Sequence, residues 1–136
     1  MDEFIPDRST VITIGGEEYN LVLTTKATKE IAARFGGLEK LGDQLLKSEN
    51  FDMAIAEIVW LITVLSNQSI MIHNLRNRNK QKPLLTEEAV ELLTSPFELA
   101  GYKNAISEAI FKGTVRNVIS DGDEKNVQGG RRPPPV

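Results

Sequence analysis

The sequence predicts an α+β protein, mostly α-helical, in which an N-terminal β-hairpin packs on a bundle of about five helices and a disordered tail follows. Three observations lead to this reading. Apolar residues alternate on both sides of a glycine pair within residues 10–24. Helix start and stop signals then recur as far as Asn117, framing apolar residues three or four positions apart. After Ile119 the chain holds two valines and no aromatic residue. Hydrophobic residues make up 40% and charged residues 26% of the 136-residue chain, enough for one modest core. The expected organisation is a flexible stretch at 1–9, one globular domain at 10–118, and a disordered tail or linker at 119–136.

In the hairpin segment "TVITIGGEEYNLVLT", Gly16-Glu17 as a two-residue type II′ turn would set Ile14 opposite Tyr19 and Ile12 opposite Leu21. The large apolar residues then share one face, which must pack on something, because a lone hairpin is marginal. A helix over 25–36 follows. Thr25 is its expected cap, Ala27, Ile31 and Phe35 form its inner face, and Gly36-Gly37 stop it. A second helix over 38–48 carries Leu38, Leu41 and Leu45, with Gly42 weakening it by roughly 1 kcal/mol against alanine.

The long helix is expected over 51–74, capped by Asn50 and favoured by Asp52 in its first turn. Ile55, Ile58, Val59, Ile62, Leu65 and Ile72 make its inner stripe. Trp60, Leu61 and Val64 widen the apolar surface, so the helix is either central or offers a face to a partner. Its apolar run, Met53–Ile72, approaches the length of a membrane span. Glu57 and Asn67-Gln68 interrupt it, and a carboxylate near the bilayer centre costs a few kcal/mol, so a core helix with no membrane partner is expected. Glu57 itself is placed on the helix edge. "HNLRNRNKQKP" then ends the helix in an exposed loop. Thr86 caps a helix over 86–94, and "SPFE" reads as a capping box, with Ser95, Pro96 and Glu98 opening the last helix at 96–117. Leu99, Tyr102, Ile106, Ala109 and Ile110 form that helix's inner stripe.

Composition excludes several functions. No cysteine is present, which removes disulfides, thiolate nucleophiles and cysteine-based metal sites. The acidic N-terminus has no apolar run and is not a secretory signal. His73, the single histidine, sits among asparagines and arginines, and reads as solvent-exposed rather than as a base or ligand. The acidic pairs Glu17-Glu18 and Glu87-Glu88, and the run Asp121/Asp123/Glu124, fall in a turn, a helix start and a tail, where local reasons suffice. No calcium loop, P-loop or dinucleotide spacing is complete, so neither a cofactor nor an enzyme activity is expected.

Two features point to partners instead. Arg76, Arg78, Lys80 and Lys82 form a basic cluster without an acid, read as a solvated loop or a contact for an acidic protein. The net charge of −3 and the absence of interleaved aromatics argue against nucleic acid as a partner. Trp60, with Leu61 and Val64, reads as ordinary core or as an anchor in an interface.

The segment "ITIGGEEYNLVLTTKATKEI", followed by "FGGLEKL", a long apolar helix and a polar tail, resembles the tail assembly chaperones of long-tailed, siphovirus-like bacteriophages in their short form. The resemblance is clearest from Val11 to Leu46 and continues as a pattern from Phe51 to Val118. It implies a nonenzymatic protein of the host cytoplasm that binds the tape measure protein, helps recruit major tail tube subunits and is absent from the finished virion. It also implies a longer product made by ribosomal frameshifting. A run of C bases encoding Pro133, Pro134 and Pro135 would be a slippage site, with the tail as linker. Exposed apolar surface makes a homo-oligomer an expectation as well. The rival readings are a connector or tube-related component retained in the particle, and a small nucleic-acid-binding regulator using the basic cluster.

Overall fold

The computed structural model describes residues 9–41 and 51–122, except the side chains of 51–54 and 115–122. The expectations for Gly42, Leu45, Asn50 and Pro133–Pro135 therefore lie outside the described residues, as does the one for the Asp52 side chain. The elements are β1 (Thr10–Ile14), β2 (Glu17–Leu21), α1 (Thr25–Phe35), a helical turn α2 at 38–41, α3 (Phe51–Arg76), α4 (Glu87–Leu93) and α5 (Pro96–Gly122). The molecule is thus mostly helical, with an antiparallel two-stranded hairpin at its start, as the pattern predicts.

The hairpin turn differs from expectation. Ile12 pairs with Tyr19, Ile14 with Glu17 and Thr10 with Leu21, so the turn is Gly15-Gly16. Both glycines hold positive φ, 58° and 85°, which is what a type I′ turn requires at its two central positions. The slip is two residues, so every side chain keeps its face. Ile12, Ile14 and Leu21 remain buried and Tyr19 half-buried. After β2 the alternation stops: Leu21, Val22 and Leu23 are all buried, because the chain crosses the core there. The Val22 N–H donates to the Leu65 carbonyl at 3.2 Å, which ties this crossing to α3.

Thr24, not Thr25, caps α1. Its backbone is extended and its Oγ1 accepts from the Ala27 N–H at 3.0 Å. Ala27, Ile31 and Phe35 are buried as predicted. Gly36 ends the helix in the left-handed region at φ 88°, donating its N–H to the Ala32 carbonyl at 2.8 Å. Leu41 of α2 is buried and Leu38 packs at the core edge.

α3 is central. β2, α1, α4 and α5 all pack on it, which accounts for its apolar residues on several faces. Ile58, Val59, Leu61, Ile62 and Leu65 are buried, with Ile55, Trp60 and Val64 packed at the margin. By length and composition residues 55–76 would suffice to cross a membrane. Of the most apolar window of this stretch, 44% is buried against the rest of the chain.

The caps of the last two helices form as read from the sequence. Thr86 Oγ1 accepts from the Ala89 N–H at 3.1 Å. The capping box is reciprocal: the Ser95 N–H donates to Glu98 Oε1 at 2.8 Å, and the Glu98 N–H to Ser95 Oγ at 3.3 Å. α5 continues to Gly122, so residues 119–122, assigned to the tail by composition, are helical. Composition judges whether a segment can bury a core; nothing before Gly122 forbids a helix from propagating. Ser9, assigned to the flexible start, is held by Lys112, whose Nζ donates to the Ser9 carbonyl at 2.9 Å.

α5 also lies against the hairpin. The Tyr102 hydroxyl donates to the Thr13 carbonyl at 2.5 Å. Burial, then the charge of Glu98, raises the Tyr102 pKa above its ordinary value, which keeps that proton in place. Close approach centres on Gly113, where a Cβ would stand 2.8 Å from Leu23 Cβ. Gly101, on the same helix, has open space around it. The same substitution should therefore act with opposite sign. Gly101→Ala is expected to stabilise by about 0.5–1 kcal/mol, and Gly113→Ala to destabilise by about 1–3 kcal/mol, both measured by chemical denaturation. Equal effects at the two positions would remove the close-packing account.

Candidate partner-binding site

The residues expected to bind a partner divide into two groups. In the first, around Trp60, the side chains are spent inside the molecule. Leu61 is fully buried and cannot meet a partner in the folded chain, contrary to expectation. It lies one residue from Trp60, 100° around the helix, and that rotation carries it from the margin into the core. Val64 is half-buried and packs against the core. Trp60 is half-buried too. The Arg34 guanidinium lies 4.5 Å from its ring centroid, and Phe35 meets it edge-on at 6.0 Å. Arg34 is oriented by Glu57, its Nε donating to Glu57 Oε1 at 2.8 Å. Glu57 is therefore on the helix edge as predicted, and its role is to hold a cation over an indole. Both ends of the ion pair are partly solvated, so it contributes little by itself.

The second group is the basic loop. Arg76, Arg78, Lys80 and Lys82 are all exposed, as the sequence suggests. The loop is nevertheless fixed against α3. The Asn67 side chain donates to the Leu85 carbonyl at 2.9 Å and accepts from the Leu85 N–H at 2.7 Å. Asn74 does the same with Lys82, at 3.0 and 2.8 Å. Asn67 and Asn74 are two helical turns apart, about 10 Å. Lys82 and Leu85 are three extended residues apart, also about 10 Å. Each amide thus satisfies both backbone groups of one loop residue, and the loop lies extended along the helix. Gln81 Nε2 adds bonds to the Asn74 and Asn77 carbonyls at 2.9 and 3.1 Å, covering the end of α3.

His73 belongs to this scaffold. It is half-buried rather than exposed, with Nε2 at 2.8 Å from the Lys80 carbonyl. A carbonyl only accepts, so Nε2 carries the proton. Asn77 Nδ2 stands 3.4 Å from Nδ1, positioned to donate to it.

Two cavities flank the loop. One, of about 330 Å³, lies between the hairpin and α3 and is lined by Tyr19, Asn20, Ser69, His73 and Lys82 among others. The Tyr19 pKa is raised, first by burial and then by the charge and hydrogen bond of Glu17. The second, an open cleft of about 450 Å³, is lined by Met71, Asn74, Leu75, Arg78 and Gln81. Elsewhere the surface carries large apolar side chains, notably Leu92 in α4 and Phe97 and Phe111 in α5. The sequence reading did not single these out. Their signal was present: Phe97 and Phe111 fall outside the inner stripe of α5, on a face with Gly101, Asn104 and Glu108. Among the described residues, no group of three or more His, Asp or Glu is placed to hold a metal.

No protein-family model matches the chain, and neither a curated protein nor a solved structure matches it.

Two measurements check this geometry. Asn67→Ala is expected to cost about 1–3 kcal/mol and to speed hydrogen exchange at the Leu85 amide. Asn74→Ala should do the same at Lys82; unchanged exchange at both would mean that the loop is held by something else. Trp60 is the only tryptophan, so its emission reports its surroundings. Arg34→Ala should shift that emission to longer wavelength while lowering stability by no more than about 1 kcal/mol.

Proposed function

We propose that this chain is a nonenzymatic phage tail assembly chaperone, which binds the tape measure protein and helps recruit tail tube subunits. The resemblance over Val11–Leu46 is what supports the family reading. The observation that carries the binding role is apolar surface: Leu75, Leu92, Phe97 and Phe111 are 74%, 75%, 89% and 64% exposed. Single exposed apolar side chains are ordinary, whereas several gathered on one face of a helix form a surface that a partner can use. On α5 the exposed row Phe97, Gly101, Asn104, Glu108, Phe111 recurs at helical spacing. Its two phenylalanines are about 21 Å apart along the axis, with Gly101 leaving room for close approach between them. A long amphipathic helix, the form in which the tape measure protein needs protection, suits such a row.

The test is co-expression with a phage tape measure protein from the same genome as this chain. The expected outcome is soluble tape measure protein in the presence of the chain and its loss with Phe97→Asp/Phe111→Asp, a variant that should keep its thermal stability because both positions are exposed. Mass spectrometry of purified virions should find the chain missing; its presence there in stoichiometric amount would favour a structural tail component. Expression from the native DNA should yield a minor longer product joined near Pro133–Val136.

A further inference from the structure

The cleft at the end of α3 presents a chemistry distinct from the phenylalanine face of α5. Of the residues lining it, Asn74 and Gln81 have their amides committed to the loop backbone. What remains for an occupant is the apolar floor of Met71 and the mostly exposed Leu75, with Arg78 at the side. Lys80 and Lys82 stand exposed on the same loop. Among the described residues, no carboxylate pairs with the side chains of Arg78, Lys80 or Lys82. Glu17 and Glu18 share the neighbouring cavity with Lys82, so that lysine is partly answered within the chain; of these two cavities Arg78 lines the cleft.

These cations are displayed on a backbone already fixed by Asn67, Asn74, Gln81 and His73. A partner therefore does not bear the cost of ordering the loop. We infer that the cleft docks an acidic amphipathic segment of a protein partner, seating an apolar side chain on Leu75 and Met71 and its carboxylates on Arg78 and Lys80. Arginine is suited to this, since its planar fork takes a carboxylate through two parallel hydrogen bonds. A nucleic acid would meet the charges, but its phosphodiester backbone has no use for the apolar floor, and no aromatic ring lines the cleft to stack a base. The inference rests on the reading of the chain as a protein-binding module, and not on its part in tail assembly.

The experiment uses the full chain and three fluorescein-labelled helical peptides, read by anisotropy at low and moderate salt. One carries leucines on one face and glutamates on the other. Its twins replace glutamate by lysine, or leucine by serine. The glutamate–leucine peptide is expected to bind, both twins to bind far less, and amide shifts in the NMR spectrum to centre on residues 71, 75 and 78. Arg78→Glu/Lys80→Glu should weaken binding by about tenfold or more, and Leu75→Ser by about fivefold or more. All three positions are exposed, so circular dichroism should show an unchanged fold. The inference is overturned if the peptide does not bind, if the lysine twin binds equally well, or if neither variant has an effect. It is also overturned if a duplex DNA probe displaces the peptide and is itself lost with the same charge reversal. If the peptide test fails while the chain still keeps the tape measure protein soluble, only the cleft is lost; if the reverse holds, only the assembly role is.

Discussion

Gln68 carries the junction on which the rest of the fold depends. It lies inside the most apolar helix of the chain and is almost fully buried. A buried amide must satisfy both ends, and it does. Its Nε2 donates to the Val64 carbonyl at 2.9 Å, and its Oε1 accepts from the Thr24 hydroxyl at 2.5 Å. Thr24 is in turn the cap that starts α1. One side chain thus fixes where the chain leaves the hairpin, where α1 begins and which face of α3 meets both. The nearby bond from Val22 to the Leu65 carbonyl locks the same crossing through the backbone. Apolar packing alone would tolerate a small slide of the hairpin along α3. Directional hydrogen bonds in a low-dielectric interior do not.

Asn67 extends that junction to the other side of the helix. Adjacent to Gln68, it points 100° away and takes the loop before α4 instead of the segment before α1. The dipeptide that interrupts the hydrophobic run is therefore what joins α3 to the start of α1 and to the loop before α4. Apolar residues set the stickiness of this helix, and two amides set what sticks where.

What the sequence disclosed follows from how local each feature is. The cap at Thr86, the Ser95–Glu98 box, the Gly36 stop and the Ala27–Ile31–Phe35 face each link residues in steps of no more than four positions, and each is legible. The hairpin register was not. Gly15-Gly16 and Gly16-Glu17 both give acceptable two-residue turns with the same faces, and only the φ demand at both central positions separates them. The choice of Thr24 over Thr25 depends on Gln68, 44 residues away. The burial of Leu61 beside a half-exposed Trp60 depends on which neighbours close around α3. The asparagine clamps were invisible for the same reason, because polar residues in a helix look like interruptions until their partners are known.

The exposed apolar residues pose a physical question, since each forgoes the stabilisation that burial would bring. The structure answers it in the same way at two places. Phe97 sits in the first turn of α5, where Pro96 and the Ser95–Glu98 box already hold the backbone. Leu75 sits in the last turns of α3, where Gln81 and Asn77 already cover the terminal carbonyls. In neither case is the side chain needed to keep its helix in place. Local hydrogen bonds carry the backbone, and the apolar group is left over. A residue that its own fold does not use is one that a partner can bind without loosening that fold. By the same reasoning Trp60, which the sequence pattern leaves as either core or anchor, is a poor anchor. Its ring is already covered by Arg34 and Phe35, and a partner would have to displace both before gaining anything.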